Sequence, residues 1–164
     1  MTENIFTAEI ISEIDAVKNK FPTNQTKSAI IESLLILQDK NDGYLDDAII
    51  SGLAKHLKVN KIDIYEVATF YSMFSLQPIG KNVIAVCTNV SCMLRGSDDI
   101  VAYLEKKLKI KLGESTKDNK FYLKNEMECL AACNGAPMMQ VNHVNHENLT
   151  YEQIDEIIKK LNNE

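Results

Sequence analysis

Four cysteines are the residues of this chain whose type and spacing point to chemistry. They form two close pairs, with four residues inside the first and three inside the second: Cys87, Cys92, Cys129 and Cys133. Four thiolates are a complete ligand set for a tetrahedral zinc ion or for a [2Fe–2S] cluster. The spacing alone leaves zinc and iron–sulfur nearly level, because both kinds of site use short cysteine pairs.

Other interpretations of the cysteines are weaker. Isolated cysteines are often buried small hydrophobes, but that does not account for two close pairs at the ends of predicted strands. The N-terminal residues lack the basic and apolar regions of a secretory signal, so we expect a reducing compartment that disfavours disulfides. A thioredoxin-like redox pair needs C-x-x-C, which the sequence lacks.

The residues beside the cysteines shift the balance towards iron–sulfur. Several are small or polar and leave backbone N–H groups available to sulfur: Thr88, Asn89, Ser91, Asn134 and Gly135. Arg95, the only arginine, follows Cys92 by three residues and precedes a predicted helix, which places positive charge beside an anionic site. An ordinary surface position for Arg95 is an equally good interpretation.

The elements that must position the cysteines change character around Pro78–Gly80. Before this break, apolar residues spaced by three and four predict a bundle of four amphipathic helices. These helices are predicted over 7–20, 27–39, 46–57 and 60–74. The last one carries an aromatic stripe of Phe70, Tyr71 and Phe74, which is typical of a bundle core and is also suited to docking a partner.

After the break, the apolar run 83–86 predicts a strand that is buried on both faces. Ser97–Asp98 and the pair Thr150 and Gln153 predict the caps of two helices. Further strands are predicted at 121–127 and 138–141, with a loop at 114–120. This β-α-β-β-α order predicts a small mixed sheet with flanking helices, in which two loops leaving one end of the sheet bring the four thiols together.

The predicted fold class is therefore α+β. We expect an N-terminal four-helix subdomain over 1–79 and a mixed-sheet domain over 80–164.

Composition excludes several functions. The chain has 164 residues, with 18 Lys plus Arg against 23 Asp plus Glu and a net charge of −5, so no nucleic-acid partner is expected. Apolar runs such as 34–37 last one helical turn, and a bilayer needs about 18 residues or more, so no direct membrane insertion is expected.

Motifs for other chemistry are missing from the sequence. The six glycines are scattered, so no phosphate-binding loop and no flavin or nucleotide site is predicted. No Gly-x-Ser-x-Gly elbow indicates hydrolysis, and no catalytic residue is assigned. His56 is expected to be a solvated helix residue, and His143 and His146 are expected to belong to a polar turn.

Two segments around the cysteines, 86–97 and 128–137, resemble the cluster loops of a known family. This family is the thioredoxin-like [2Fe–2S] subunit of respiratory complex I, which occurs in bacterial NADH:quinone oxidoreductase and in its mitochondrial counterpart. The segments 65–74 and 113–116 also resemble it, and the likeness runs from about residue 10 to 162. The Cys-Met-Leu-Arg sequence at 92–95 is most similar to the mitochondrial and related bacterial form.

The resemblance implies a thioredoxin-like [2Fe–2S] ferredoxin domain over 80–164. It implies one cluster with four ligands, each pair holding one iron: Cys87, Cys92, Cys129 and Cys133. At Ala131 the family usually has glycine, so alanine is costly there if the backbone φ is positive.

The resemblance also implies a function and partners. The chain would be an electron-transfer subunit of the NADH-oxidising module, with FMN and NADH on a partner flavoprotein subunit and no complete active site of its own. Further iron–sulfur subunits of complex I would be neighbours, at a cytoplasmic position peripheral to the inner face of the energy-transducing membrane. The alternatives are the similar small subunit of an NAD-linked hydrogenase or formate dehydrogenase, and a zinc-stabilised scaffold.

Overall fold

The structure is a computed structural model and describes residues 5–125 and 129–163. Backbone contacts divide the chain into two compact units, Met1–Pro78 and Ile79–Glu164. Each unit has its own apolar core.

The first unit is helical, as the apolar spacing predicts. Its elements are α1 (Ala8–Lys18), a 3₁₀ turn (Thr26–Ala29), α2 (Ile30–Lys40), α3 (Asp47–Leu57) and α4 (Lys61–Phe70). The side chains of Thr7 and Asp46 cap α1 and α3 by accepting backbone N–H groups three residues on, at 3.4 and 2.8 Å. The buried faces of the helices meet in one apolar cluster that includes Ile14, Leu34 and Leu53.

The fourth helix ends earlier than predicted. It stops at Phe70, because Tyr71 has an extended backbone with φ −90° and ψ 121°. The chain then turns so that Phe74 is buried while Phe70 is 79% exposed. The interpretation of the aromatic stripe as core is therefore right for Phe74 and wrong for Phe70.

The buried amide of Gln38 holds this turn in place. Its Nε2 donates to the carbonyl of Met73 at 3.0 Å, and its Oε1 accepts the N–H of Ser75 at 2.8 Å. One side chain on α2 thus supplies the backbone partners that the interrupted helix lacks.

The second unit is a five-stranded mixed sheet with flanking helices, which confirms the α+β class. Its elements are β1 (Asn82–Val86), α5 (Val90–Met93), α6 (Ser97–Leu108), β2 (Glu114–Ser115), β3 (Phe121–Leu123), a 3₁₀ turn (Cys133–Gly135), β4 (Met139–Val141), β5 (Val144–His146) and α7 (Tyr151–Asn162). The strand order is β2-β3-β1-β4-β5. The central strand β1 pairs in parallel with β3 and antiparallel with β4.

Several local predictions in this unit are corrected. The segment 114–120, expected to be a loop, contributes β2, and His146, expected in a turn, lies on β5. Strand β3 ends at Leu123, and the end of the predicted strand at 126–127 lies outside the described residues. Strands of two or three residues are too short to show an alternating pattern.

The helix caps give one correction and one confirmation. The residue before α6 is Gly96 with φ 88°, and the buried hydroxyl of Ser97 has no hydrogen-bond partner among the described residues, so the predicted Ser97 cap is wrong. The capping box of α7 is confirmed, because Thr150 and Gln153 exchange hydrogen bonds of 3.0 and 3.3 Å.

Candidate metal centre

The loops that carry the cysteines leave one edge of the sheet. Cys87 directly follows β1, and Cys129 follows β3. Because β1 and β3 are parallel, their carboxyl ends lie at the same edge. The 3₁₀ turn Cys133–Gly135 precedes β4, whose first residue Met139 pairs with Val86 at that same edge. The topology therefore brings both cysteine pairs to one end of β1.

The four cysteines differ in burial. Cys87 and Cys92 are buried, Cys129 and Cys133 are exposed, and all four are free thiols. Cys92 lies on the short helix α5, and the two buried thiols pack against Ala136 and Met138. The partly buried Leu130 and Ala132 complete this small apolar cluster. One half of the candidate site is thus shielded from water and the other half faces it.

The charged form of Cys87 is favoured by its surroundings. Burial raises its pKa, but the backbone N–H groups of Leu130 and Asn89 lower it more, together with the thiols of Cys92 and Cys129. The net result is a pKa for Cys87 below the ordinary thiol value. Amide groups that face a sulfur stabilise negative charge on it, which is what a metal-bound thiolate requires.

Cys92 has the opposite tendency. Burial and the neighbouring Cys87 sulfur raise the pKa of Cys92 to about 11, although the backbone N–H of Met138 opposes the shift. Charge on Cys133 contributes to the same rise. These mutual influences show that the thiols of the two pairs lie within electrostatic reach of each other. They also mean that a cation is needed before all four can be thiolates together.

The thiol interactions are pairwise. Across 5–125 and 129–163, no three His, Cys, Asp or Glu side chains converge closely enough to hold one metal ion. A zinc site needs four donors around a single ion, whereas a [2Fe–2S] cluster takes two protein ligands at each of two irons. Two thiol pairs with amide donors and an apolar wall therefore fit a two-iron cluster better than a single ion.

Arg95 contacts the second cysteine loop from the first. Its Nη1 donates to the carbonyl oxygen of Ala136 at 3.3 Å. The backbone N–H of Arg95 in turn donates to the carbonyl of Cys92 at 3.0 Å. The guanidinium therefore joins the two loops and adds positive charge at the site, as the sequence interpretation expects.

The departure at Ala131 has a structural cost. Ala131 has φ 56°, in the left-handed region that favours glycine. This residue lies between Cys129 and Cys133, so the loop that carries the second pair is strained at the position where the family usually has glycine.

Two of the amide donors carry no signal in the sequence. Of the polar positions proposed from the sequence, Asn89 does act on Cys87, but Leu130 and Met138 act through backbone N–H groups that no side-chain pattern reveals. Their apolar side chains indicate only burial.

The histidines do not lie with the cysteines in any cluster of metal-ligating side chains among the described residues. His56 is a correction: its Nε2 lies 2.9 Å from the Asp15 carboxylate on α1, so it is a paired residue of the helical unit. His143 lies in the turn before β5, with φ 69°.

Comparison with known proteins now identifies the fold and the site together. The family model of the thioredoxin-like [2Fe-2S] ferredoxin matches residues 14–162. The chain belongs to this family. No helix among the described residues combines the length and apolar character that a membrane span requires.

Similar proteins from two groups of organisms support this assignment. The chain is 43% identical over 164 residues to the E-type NADH-quinone oxidoreductase subunit of Rickettsia conorii, covering 100% of this chain and 98% of that protein. It is 37% identical over 158 residues to the mitochondrial NADH dehydrogenase [ubiquinone] flavoprotein 2 of Dictyostelium discoideum, covering 96% of this chain and 64% of that protein.

A solved structure shares the fold. The chain superposes on the NAD+-reducing [NiFe]-hydrogenase in its air-oxidised state with a TM-score of 0.66 and 21% identity. The match covers 79% of this chain and 22% of the hydrogenase chain. At this identity the likeness supports the thioredoxin-like architecture of the family member.

Proposed function

We propose that this chain is the iron–sulfur electron-transfer subunit of the NADH-oxidising module of an NADH:quinone oxidoreductase. It holds one [2Fe–2S] cluster on four thiolates: Cys87, Cys92, Cys129 and Cys133. The observation that carries the proposal is the meeting of both cysteine pairs at the carboxyl end of β1, in a member of a [2Fe–2S] family. The N-terminal domain over 1–79 and the cluster domain over 80–164 are part of this proposal.

The residues of the site fit such a cluster. Each cysteine pair supplies the two thiolates that one iron needs, and the cluster supplies one-electron transfer when it is bound. The N–H groups of Leu130, Asn89 and Met138 stabilise negative sulfur, and the apolar wall of Ala136 and Met138 excludes water from the buried half. The exposed pair, Cys129 and Cys133, gives the site an open side for exchange with a partner.

The same arrangement defines what the partner must supply. The chain has no glycine-rich phosphate loop, so FMN and NADH belong on a flavoprotein subunit that docks beside the cluster. Further iron–sulfur subunits of the complex are the other expected neighbours. In that complex the chain occupies a peripheral position at the inner face of the energy-transducing membrane.

Similarity favours this function over the alternatives. The relatives that match the whole chain carry the names of NADH-quinone oxidoreductase subunits. The hydrogenase resembles the chain at 21% identity, which is a likeness of fold. A zinc scaffold would need four donors converging on one ion, whereas the thiols here interact in pairs.

Anaerobic purification of the full chain tests the proposal. We expect a reddish protein with about two irons and two sulfides per chain and an EPR signal after reduction, since a four-cysteine [2Fe–2S] site is a redox centre. Cys129→Ser should abolish assembly and destabilise the second unit, because metal binding is coupled to folding. Ser91→Ala, an exposed change in the first loop, is the matched control and should assemble normally. Colourless protein with one zinc, or a full cluster in Cys129→Ser, would contradict the assignment.

A further inference from the structure

An acidic side chain lies directly against the second cysteine loop. Gly135 is buried two residues after Cys133, and a Cβ atom placed on it would lie 2.1 Å from Oε2 of Glu147 and 2.4 Å from its Cβ. No side chain fits between them. Glycine at position 135 therefore lets the Glu147 carboxylate approach the backbone of the loop.

The charge of Glu147 is not neutralised by a neighbour. Glu147 is exposed, and within 5–125 and 129–163 no ion pair joins it to a Lys, Arg or His side chain. An unpaired carboxylate keeps its full field at short range, although solvent and salt reduce that field. Glu147 thus adds negative charge at the loop that holds Cys133.

Arg95 lies on the adjoining part of the same loop with the opposite charge. Its guanidinium donates to the carbonyl of Ala136, the residue that follows Gly135. The loop between Cys133 and Ala136 therefore has a positive group and a negative group on adjacent residues. Reduction adds one electron to an already anionic four-thiolate cluster, so Glu147 opposes reduction and Arg95 favours it.

We propose that Glu147 is a potential-determining residue, whose charge against Gly135 lowers the midpoint potential of the cluster, with Arg95 acting in the opposite direction. This inference rests on the proposed function, because it requires the cluster on Cys87, Cys92, Cys129 and Cys133.

The charge of Glu147 is separable from the folding of the loop. Backbone hydrogen bonds tie this segment to the loop without the carboxylate: the N–H of Asn148 donates to the carbonyl of Gly135 at 2.6 Å, and that of Leu149 to Pro137 at 3.0 Å. Glu147→Gln keeps the shape of the side chain and these bonds while it removes the charge. Its effect on the cluster is therefore electrostatic.

The test is a potentiometric titration of the cluster-loaded chain, followed by EPR. Glu147→Gln should raise the midpoint, so that at the wild-type midpoint the ratio of reduced to oxidised cluster increases by on the order of threefold. That ratio corresponds to roughly 30 mV for a one-electron couple. Arg95→Gln should shift the midpoint the other way. Both shifts should shrink in high salt, because the groups are exposed.

Two variants serve as controls. Asp118→Asn removes the same charge but lies in the turn before β3, beside Asn119, whose carbonyl binds Lys81 at the end of β1 opposite Cys87. It should leave the midpoint unchanged. Glu147→Asp retains the charge and should retain a midpoint close to that of the wild type.

Each result bears on one proposal. A wild-type chain without a [2Fe–2S] cluster would overturn the proposed function and this inference together. With the cluster present in the wild type, an unshifted midpoint in Glu147→Gln, or equal shifts in Glu147→Asp and Glu147→Gln, would overturn the inference alone. Failure of Glu147→Gln to assemble a cluster would show that the carboxylate holds the loop, and it would overturn the inference as well.

Discussion

Replacing Ala131 with glycine should stabilise the protein. Ala131 has φ 56°, and its Cβ atom makes this left-handed conformation unfavourable. Glycine adopts the same backbone without that steric cost. The change leaves all four cysteines in place and removes one methyl group from an exposed position.

The expected magnitude follows from two opposing effects. A left-handed residue with a Cβ costs roughly 1–2 kcal/mol relative to glycine. Glycine also gives the unfolded chain more freedom, which costs about 0.4–1 kcal/mol on folding. The difference predicts an increase of about 0.5–1 kcal/mol in the free energy of unfolding. For a chain of this length that corresponds to a rise in Tm of about 1–4 °C.

Ala132→Gly is a matched control for this prediction. It is the next residue in the same loop, but its φ is −113°, a value that any residue adopts. Its partly buried methyl group also packs against the cysteine cluster. Glycine at position 132 should therefore destabilise the loop, by roughly 0.5–1 kcal/mol from unfolded-chain freedom alone.

The assay is urea unfolding of the cluster-loaded chain under anaerobic conditions, monitored by visible absorption of the cluster and by far-UV circular dichroism. Ala131→Gly should raise the urea midpoint and Ala132→Gly should lower it, with similar slopes. If both variants lower the midpoint by similar amounts, the loop does not hold residue 131 in the left-handed conformation, and the strain argument is wrong.

Two further predictions concern other parts of the fold. Gly80→Ala should destabilise the second unit by about 1–3 kcal/mol in urea unfolding, because the added Cβ would lie 2.3 Å from the backbone carbon of Phe121; Gly52→Ala, which meets the movable ring of Phe6, should cost less. The hydrogen bond from His56 lowers the pKa of Asp15, so its contribution to stability is present above the ordinary value of 3.8 and is lost as pH falls below it. Asp15→Asn should therefore weaken the loss of stability on acidification below about pH 4, and an unchanged pH profile would refute the role of this pair.

The sequence predicts the helices and the central strand well because their signals are local and long. Amphipathic spacing marks α1 to α3, and the apolar run 83–86 marks β1, in which Ile84 and Val86 are fully buried. Thr150 and Gln153 mark the start of α7 correctly for the same reason, since a capping box is a contact within four residues.

The failures have a shared physical cause, which is dependence on distant partners. Strands β2 and β5 exist because they pair with β3 and β4 at the edges of the sheet, and their own residues carry no alternating pattern. Helix α4 ends at Phe70 although the apolar spacing continues, because Gln38 on another helix binds the turn that follows it. Such contacts are not visible in a local window of sequence.

The candidate site was predictable for a topological reason. Cys87 and Cys129 each follow a strand, and two such loops meet only if the strands are parallel, since an antiparallel pair would leave the loops at opposite ends. The helix α6 between β1 and β3 allows the parallel pairing, because parallel strands need a crossover connection. Cys133 reaches the same edge by the opposite geometry, because it precedes an antiparallel strand. One crossover helix and one reversal of direction are therefore sufficient to bring together four thiols from two segments that lie far apart in sequence.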